Sequence, residues 1–100
     1  MKQYKIQVSE TAKQDIDDLY YFIVEEYDSL LTAKNYISGI KATIQSLSTT
    51  AEVYQIQNTT VLRLFGPNVR RINYKKMAII YTVHGDVVLV HRVISAAIIT

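Results

Sequence analysis

The chain has 100 residues, no cysteine and a net charge of +2, which predicts one domain over residues 1–100 with neither disulfides nor a thiolate-bound metal. Its first ten residues lack the apolar core of a signal peptide and no apolar run is long enough to cross a bilayer, so we expect a cytoplasmic protein without a membrane partner. Residues 1–30 carry three lysines and seven acids, a charge of −4, whereas residues 61–100 carry six Lys or Arg and one acid, a charge of +5. The basic part predicts a surface for an acidic partner or nucleic acid. Alternatively, the two parts neutralise each other in the fold.

The first predicted elements are a strand and a helix. Polar and apolar residues alternate from Tyr4 to Val8, as in a half-buried strand, and the hydroxyl of Ser9 can then cap a helix. The helix has one apolar stripe, at Ala12, Ile16, Leu19, Ile23 and Tyr27. Acidic residues off that stripe are expected to form a solvated face, not a catalytic or metal-binding pair, because no histidine accompanies them: Asp15, Asp18 and Glu25.

A second helix is predicted from Leu30 to Leu47, after a break and new cap at Asp28-Ser29. Its apolar positions also repeat at three and four, at Ala33, Tyr36, Ile37, Ile40, Ile44 and Leu47. Gly39 lies inside this helix at a cost of roughly 1 kcal/mol relative to alanine, and we expect it to allow a close approach of the first helix. Two such helices form an antiparallel hairpin that covers a sheet.

The C-terminal part predicts a three-stranded antiparallel meander from Arg70 to Ile94. A polar connector (Ser48 to Thr60) and the turn Gly66-Pro67-Asn68 precede it. Two-residue turns are expected at Lys75-Lys76 and at Gly85-Asp86, the second of which suits a type II′ hairpin because Gly comes first.

Strict alternation in the last strand predicts that His91 shares a face with Val87, Leu89 and Val93, while Arg92 lies on the other face. His84, beside the hairpin turn, is expected to be solvated. With only two histidines and no cysteine, a metal site is not expected.

The predicted fold is therefore α+β: an N-terminal strand, an antiparallel helical hairpin and a three-stranded antiparallel meander in one twisted sheet. With this order, the sequence resembles the RelE/ParE superfamily of toxins from bacterial type II toxin–antitoxin systems. The resemblance is carried by four stretches and covers nearly the whole chain: Tyr4 to Ser9 opening into the acidic helix, Leu62 to Arg71, Ile79 to Val83, and Val87 to Val90 followed by Arg92 to Ile94.

The resemblance implies a growth-inhibiting, plasmid-stabilising toxin that a cognate antitoxin protein binds and silences, with no cofactor. ParE-like relatives inhibit DNA gyrase, whereas RelE-like relatives cut messenger RNA on the ribosome. RelE-like cleavage would use Arg71 with Arg70, and His91 as the acid or base. The resemblance also implies, for a ribonuclease, an arginine on the central strand of the meander and an Arg, His or Tyr near the C-terminus. In this chain the central-strand position falls near Ala78, and the segment Ser95 to Thr100 has no Arg, His or Tyr.

These gaps favour the ParE-like function, which is a binding event and does not require a cationic cage. The candidate residues for binding gyrase or the antitoxin, as cationic and apolar anchors, are Arg63, Arg70, Arg71, Lys75, Arg92 and Ile98. Whether the chain is an enzyme stays open, since the RelE-like ribonuclease is the alternative. A third possibility is a decayed member that only binds its antitoxin.

Overall fold

The structure is a computed structural model that describes residues 2–99. Its helices and strands follow one another in the predicted order. They are β1 (Lys5–Val8), α1 (Glu10–Tyr27), α2 (Leu30–Thr50), β2 (Arg70–Tyr74), β3 (Met77–His84) and β4 (Val87–Ser95). Short 3₁₀ helices precede β2 at Leu62–Phe65 and follow β4 at Ala96–Ile98. Within the described residues, no helix is long and apolar enough to span a bilayer.

All four strands belong to one sheet, in the order β1-β4-β3-β2. The strands β2, β3 and β4 form the predicted antiparallel meander. The first strand pairs in parallel with the last, so that Lys5 lies opposite Val87 and Val8 opposite Val90. The sheet is therefore mixed, and the predicted α+β architecture is confirmed.

Both predicted hairpin turns are confirmed. Tyr74 pairs with Met77 across Lys75-Lys76, and His84 pairs with Val87 across Gly85-Asp86. Gly85 has a φ of +63° and Lys75 a φ of +52°. Glycine adopts this left-handed conformation at no steric cost, whereas Lys75 must be held there by its surroundings.

The helix hairpin begins at the predicted caps. Ser9 Oγ accepts a hydrogen bond from the Ala12 N–H (3.0 Å) and Ser29 Oγ accepts one from the Thr32 N–H (3.1 Å). The α1 stripe is buried only as far as Ile23, and the prediction of Tyr27 as part of the buried face is wrong. Tyr27 is the last residue of α1, and its side chain is 64% exposed.

The two faces of the sheet have separate apolar cores. The helices pack on one face, hereafter the inner face, with buried residues that include Ile16, Ile37, Ile40, Ile44, Leu47, Ile72, Ile79, Tyr81, Val88, Val90 and Val93. On the opposite, outer face, the first 3₁₀ helix and the chain after β4 pack on the sheet, with core residues Leu62, Val69, Ala78 and Ile80 and their neighbours Phe65, Ile94, Ala96 and Ile99. Thr100, the last residue of the segment Ser95 to Thr100, lies outside the described residues.

A β-bulge in β4 overturns the predicted alternation of that strand. Tyr81 pairs with Val90 but Ile80 pairs with Arg92, so His91 is an extra residue without a partner on β3. After one extra residue, every following side chain changes face. Val93 accordingly packs with Val88 and Val90 in the inner core, and Arg92 pairs opposite Ile80 of the outer core.

Gly39 makes a close approach, but to the sheet and not to the first helix as we predicted. A Cβ at this position would lie less than 3.0 Å from three atoms of the Tyr74 side chain. The Tyr74 ring in turn packs edge-on against Tyr36, with ring centroids 5.2 Å apart. The glycine thus gives the aromatic ring of β2 room against the surface of α2.

We expect Gly39→Ala to destabilise the fold by roughly 1–3 kcal/mol, as overpacking does, although alanine favours a helix by about 1 kcal/mol. The matched control is Ser38→Ala on the neighbouring exposed position, which should stay within about 0.5 kcal/mol of the parent. Urea unfolding measures both. Combining Gly39→Ala with Tyr74→Ala should remove most of the clash, and a Gly39→Ala variant more stable than the parent would contradict this packing.

Candidate functional site

The outer face of the sheet carries Arg71 and His91, two residues that the sequence analysis named as catalytic. Arg71 lies opposite Ile80 on the neighbouring strand. Its Nη1 atom is buried and has no hydrogen-bond partner among the described residues. A buried guanidinium nitrogen without an acceptor costs free energy, although Arg71 as a whole is only partly buried.

Arg70 lies on the opposite side of the same strand and does not join Arg71. It pairs with Tyr81 of the inner face, and its guanidinium donates to the backbone carbonyls of Glu52 (3.2 Å) and Tyr54. These bonds hold the connector after α2 against β2. Consecutive residues of a strand point to opposite faces, which is why the two adjacent arginines are separated.

Arg92 is engaged by Asp15 of the first helix. Its Nε donates to Asp15 Oδ2 (2.7 Å) and its Nη2 to Oδ1 (3.0 Å), while the Val93 N–H also donates to Oδ2 (3.0 Å). The hydrogen bonds with Asp15 raise the pKa of Arg92 further. The Asp15 side chain is only 13% exposed, so its prediction as part of a solvated face is wrong.

Asp15 is mostly buried because it lies beside an edge of the sheet. Strand β1 pairs with β4 only as far as Val90, so the rest of β4 has a free edge, and α1 passes beside it. Asp15 supplies the acceptors that a neighbouring strand would have supplied. Arg92 therefore joins α1 to the sheet, and it is less available to a partner than a free arginine.

His91 sits in the bulge, where its imidazole turns to the outer face. Its Nε2 lies 2.8 Å from the hydroxyl of Thr82, and Nε2 of His84 lies 2.7 Å from the same hydroxyl. The Phe65 ring covers His91 at 5.4 Å between ring centroids. Burial, and to a smaller extent the charge of His84, lowers the pKa of His91.

Thr82, His84 and Phe65 were not among the residues expected at a site. Thr82 and His84 are two positions apart on one strand and so share a face, a spacing that could have indicated the pair. The bulge at His91, which changes the faces of the residues after it, has no signal in the sequence. His84 is exposed as predicted, but it is also held by Thr82.

The remaining predicted binding residues are spread over the surface. Arg63 and Ile98 are exposed in the two 3₁₀ helices at the outer face. Lys75 lies at the β2–β3 turn, where its ammonium sits 5.4 Å from the Tyr36 ring centroid and 5.5 Å from that of Tyr74. Such cation–π contacts help to hold the strained turn. The structure therefore does not gather the six binding residues into one patch.

Beside Lys75, the end of the helix hairpin forms an apolar groove of about 380 Å³. We call it the hairpin-tip groove; it is lined by Leu19, Phe22, Ile23, Tyr27, Thr32, Tyr36, Lys75, Lys76 and Met77. Two of these lining side chains, Phe22 and Tyr27, are more than half exposed, and so are Tyr21, Leu30 and Leu31 of the same two helices. Contiguous apolar surface of this kind is typical of a protein–protein interaction site.

The centre of the outer face is closed and apolar. Ala78 and Ile80 of β3 are completely buried and pack with Leu62 of the first 3₁₀ helix. This is the region where the resemblance places a catalytic arginine in ribonucleases. The packing leaves no open cationic position at Ala78.

Comparison with known proteins identifies relatives of this arrangement. Residues 6–99 match the family described as the ParE toxin of the type II toxin–antitoxin system, parDE. A structure of the chromosomal ParDE toxin–antitoxin system from P. aeruginosa superposes with a TM-score of 0.77 at 17% identity, covering 93% of this chain and 96% of that one. The toxin–antitoxin complex RelBE2 from Mycobacterium tuberculosis superposes with a TM-score of 0.61 at 15% identity, covering 97% and 95%. At these identities the two structures establish the fold. No curated protein sequence matches the chain.

Proposed function

The chain belongs to the ParE toxin family of type II toxin–antitoxin systems, and from that premise we propose that it inhibits DNA gyrase in the cytoplasm by binding and is neutralised by a cognate antitoxin. The observation that carries this proposal is the closed apolar centre of the outer face, where Ala78 and Ile80 are buried. Cleavage of RNA requires preorganised cations around the reacting phosphate, whereas inhibition by binding requires complementary surface.

Surface suited to protein partners is present at the hairpin-tip groove. Its exposed aromatic and aliphatic side chains would be costly to leave in water in a protein that always acted alone. Lys75 and Lys76 give one rim of the groove a positive charge. Both features support the binding of a protein partner, which in this family is the antitoxin.

The test is to induce the chain alone in bacteria and to pulse-label DNA and protein synthesis at early times. Gyrase inhibition predicts that DNA synthesis falls first while translation continues, and that the purified chain blocks supercoiling by purified gyrase. Co-expression of the cognate antitoxin should restore growth. An early fall of protein synthesis would contradict the gyrase proposal, and no change in either would indicate a member that only binds its antitoxin.

A ribosome-dependent endoribonuclease is the second candidate, and one specific observation favours it. His91 and His84 both reach Thr82, so a proton could pass between the two imidazoles through the hydroxyl. On the same face, Nη1 of Arg71 has no hydrogen-bond partner within residues 2–99. An acid–base group and a cation are two requirements of phosphodiester cleavage. Arg70, on the other face, takes no part in this arrangement.

The two candidates predict different effects of Arg71→Ala and His91→Gln. If the chain binds gyrase, Arg71→Ala should weaken inhibition by at most a few kcal/mol of binding free energy, and His91→Gln should leave inhibition in place. If the chain cleaves RNA, each variant should reduce the cleavage rate by about 10²-fold or more. Supercoiling inhibition and messenger RNA cleavage, measured on the same preparations, decide between them.

A further inference from the structure

The two histidines of the chain converge on one point of the outer face. Their Nε2 atoms lie 2.7 Å and 2.8 Å from the hydroxyl oxygen of Thr82, so the two nitrogen atoms are no more than 5.5 Å apart. They come from adjacent strands, His84 from the end of β3 and His91 from the bulge of β4. His91 faces outward by alternation with the inner residues Val88 and Val90.

We propose that His84 and His91 form a binding site for one divalent transition-metal ion of the Cu²⁺, Ni²⁺ and Zn²⁺ type. Imidazole nitrogen is a preferred ligand of these ions. Metal–nitrogen bonds are about 2.0–2.1 Å long, so two ligands of one ion lie at most about 4.2 Å apart. Binding therefore requires the two Nε2 atoms to lie within this separation, with the ion taking the place of the Thr82 hydroxyl between them.

The state of the imidazoles also suits a metal. A metal ligand must be the neutral imidazole with a free lone pair. The hydroxyl of Thr82 has a single proton, so it can donate to only one of the two Nε2 atoms and must accept from the other. The proton on that second Nε2 moves to Nδ1 of the same ring when the ion binds. Burial lowers the pKa of His91 and so favours its neutral form. His84 is exposed, which gives an ion a route from solvent.

The site has two protein ligands. Among residues 2–99, no group of three or more His, Asp or Glu side chains is placed to hold a metal ion, so water fills the other coordination positions. Two imidazoles and water suit Cu²⁺, Ni²⁺ and Zn²⁺, and they do not suit Mg²⁺ or Ca²⁺, which prefer carboxylate and carbonyl oxygen. Because the two ligands meet only in the folded sheet, the metal should stabilise the native state.

The test uses the full chain without a polyhistidine tag. Titration with CuCl₂ or NiCl₂ should show one saturable site and a rise in melting temperature that MgCl₂ does not cause. His84→Gln and His91→Gln should each weaken binding by more than about tenfold, since loss of even an outer-shell partner of a metal ligand commonly costs that much. The control variant Asp86→Asn, in the adjacent hairpin turn, should bind metal like the parent chain.

Each variant is first compared with the parent by circular dichroism without metal, so that a folding defect is not taken for lost binding. Electron paramagnetic resonance of the Cu²⁺ complex adds a second measurement, with coupling to two imidazole nitrogens expected in the parent and to one in each variant. The proposal is overturned if no one-to-one binding appears, if either single histidine variant binds like the parent, or if Asp86→Asn loses the ion. It does not depend on the target of the toxin.

Discussion

Replacing Leu62 with alanine is expected to lower the free energy of unfolding by about 3 kcal/mol. Leu62 is completely buried, and it packs the first 3₁₀ helix onto Ala78 and Ile80 of β3. Truncation of a buried leucine removes its burial free energy and leaves a cavity, which together typically cost 2–5 kcal/mol. Leu62 is the one residue of the first 3₁₀ helix that is completely buried, so closing the cavity requires that helix to move.

The neighbouring Leu64 provides a matched control. It lies in the same 3₁₀ helix but is 84% exposed, so Leu64→Ala should change the free energy of unfolding by less than about 0.5 kcal/mol. Urea unfolding followed by circular dichroism measures both variants. Equal effects of the two substitutions would mean that the 3₁₀ helix does not cover the sheet in solution. That result would contradict a closed outer face.

Asp15→Asn is expected to lower the free energy of unfolding by about 2–3 kcal/mol, although it replaces only one oxygen of the carboxylate by an amide nitrogen. The carboxylate accepts three hydrogen bonds, two from Arg92 and one from the Val93 N–H. Hydrogen bonds to charged groups contribute about 1.5–3 kcal/mol each, and an unpaired group left behind adds a cost. The amide of asparagine would direct N–H donors at a guanidinium, and the partial exposure of Arg92 moderates the loss.

Asp17→Asn is the control, because Asp17 lies on the same helix two residues later and is exposed. It removes the same charge from α1 and should change stability by less than about 0.5 kcal/mol. A double-mutant cycle with Arg92→Met isolates the pair: if the bonds are as described, Asp15→Asn should cost much less in the Arg92→Met background. Equal costs in both backgrounds would contradict a direct interaction.

The regular elements of the fold were predictable because each depends on local rules. The three- and four-residue spacing of Ile37, Ile40 and Ile44 places them on the covered face of α2, and Gly85 provides the positive φ of a two-residue hairpin. The serine caps follow from the same short-range chemistry. Boundaries were less predictable: α2 continues to Thr50, beyond the predicted end at Leu47, because its last turn has no breaker.

The features that were not predictable depend on pairing between distant parts of the chain. Nothing near His91 marks it as a bulge, since the extra residue exists only relative to its partner strand β3. Asp15 likewise looks like any acid on a helix until the open edge of β4 is placed beside it. Gly39 could be recognised as a close approach, but the approaching residue, Tyr74, comes from another element. By contrast, the opposite faces of Arg70 and Arg71 could have been predicted, because consecutive residues of a strand alternate between its two faces.

The parallel pairing of β1 with β4 sets the order in which the chain can fold as it is made. Lys5–Val8 is synthesised first, whereas its partner residues Val87 to Val90 follow only after the two helices and two further strands. Contacts so distant in sequence form late, because a long loop must first be closed. A nascent chain stopped before Val87 lacks both a neighbour for β1 and one of the two central strands of the sheet. Any surface that depends on the complete sheet therefore exists only after β4 has been made, and the growing chain does not present it on the ribosome before then.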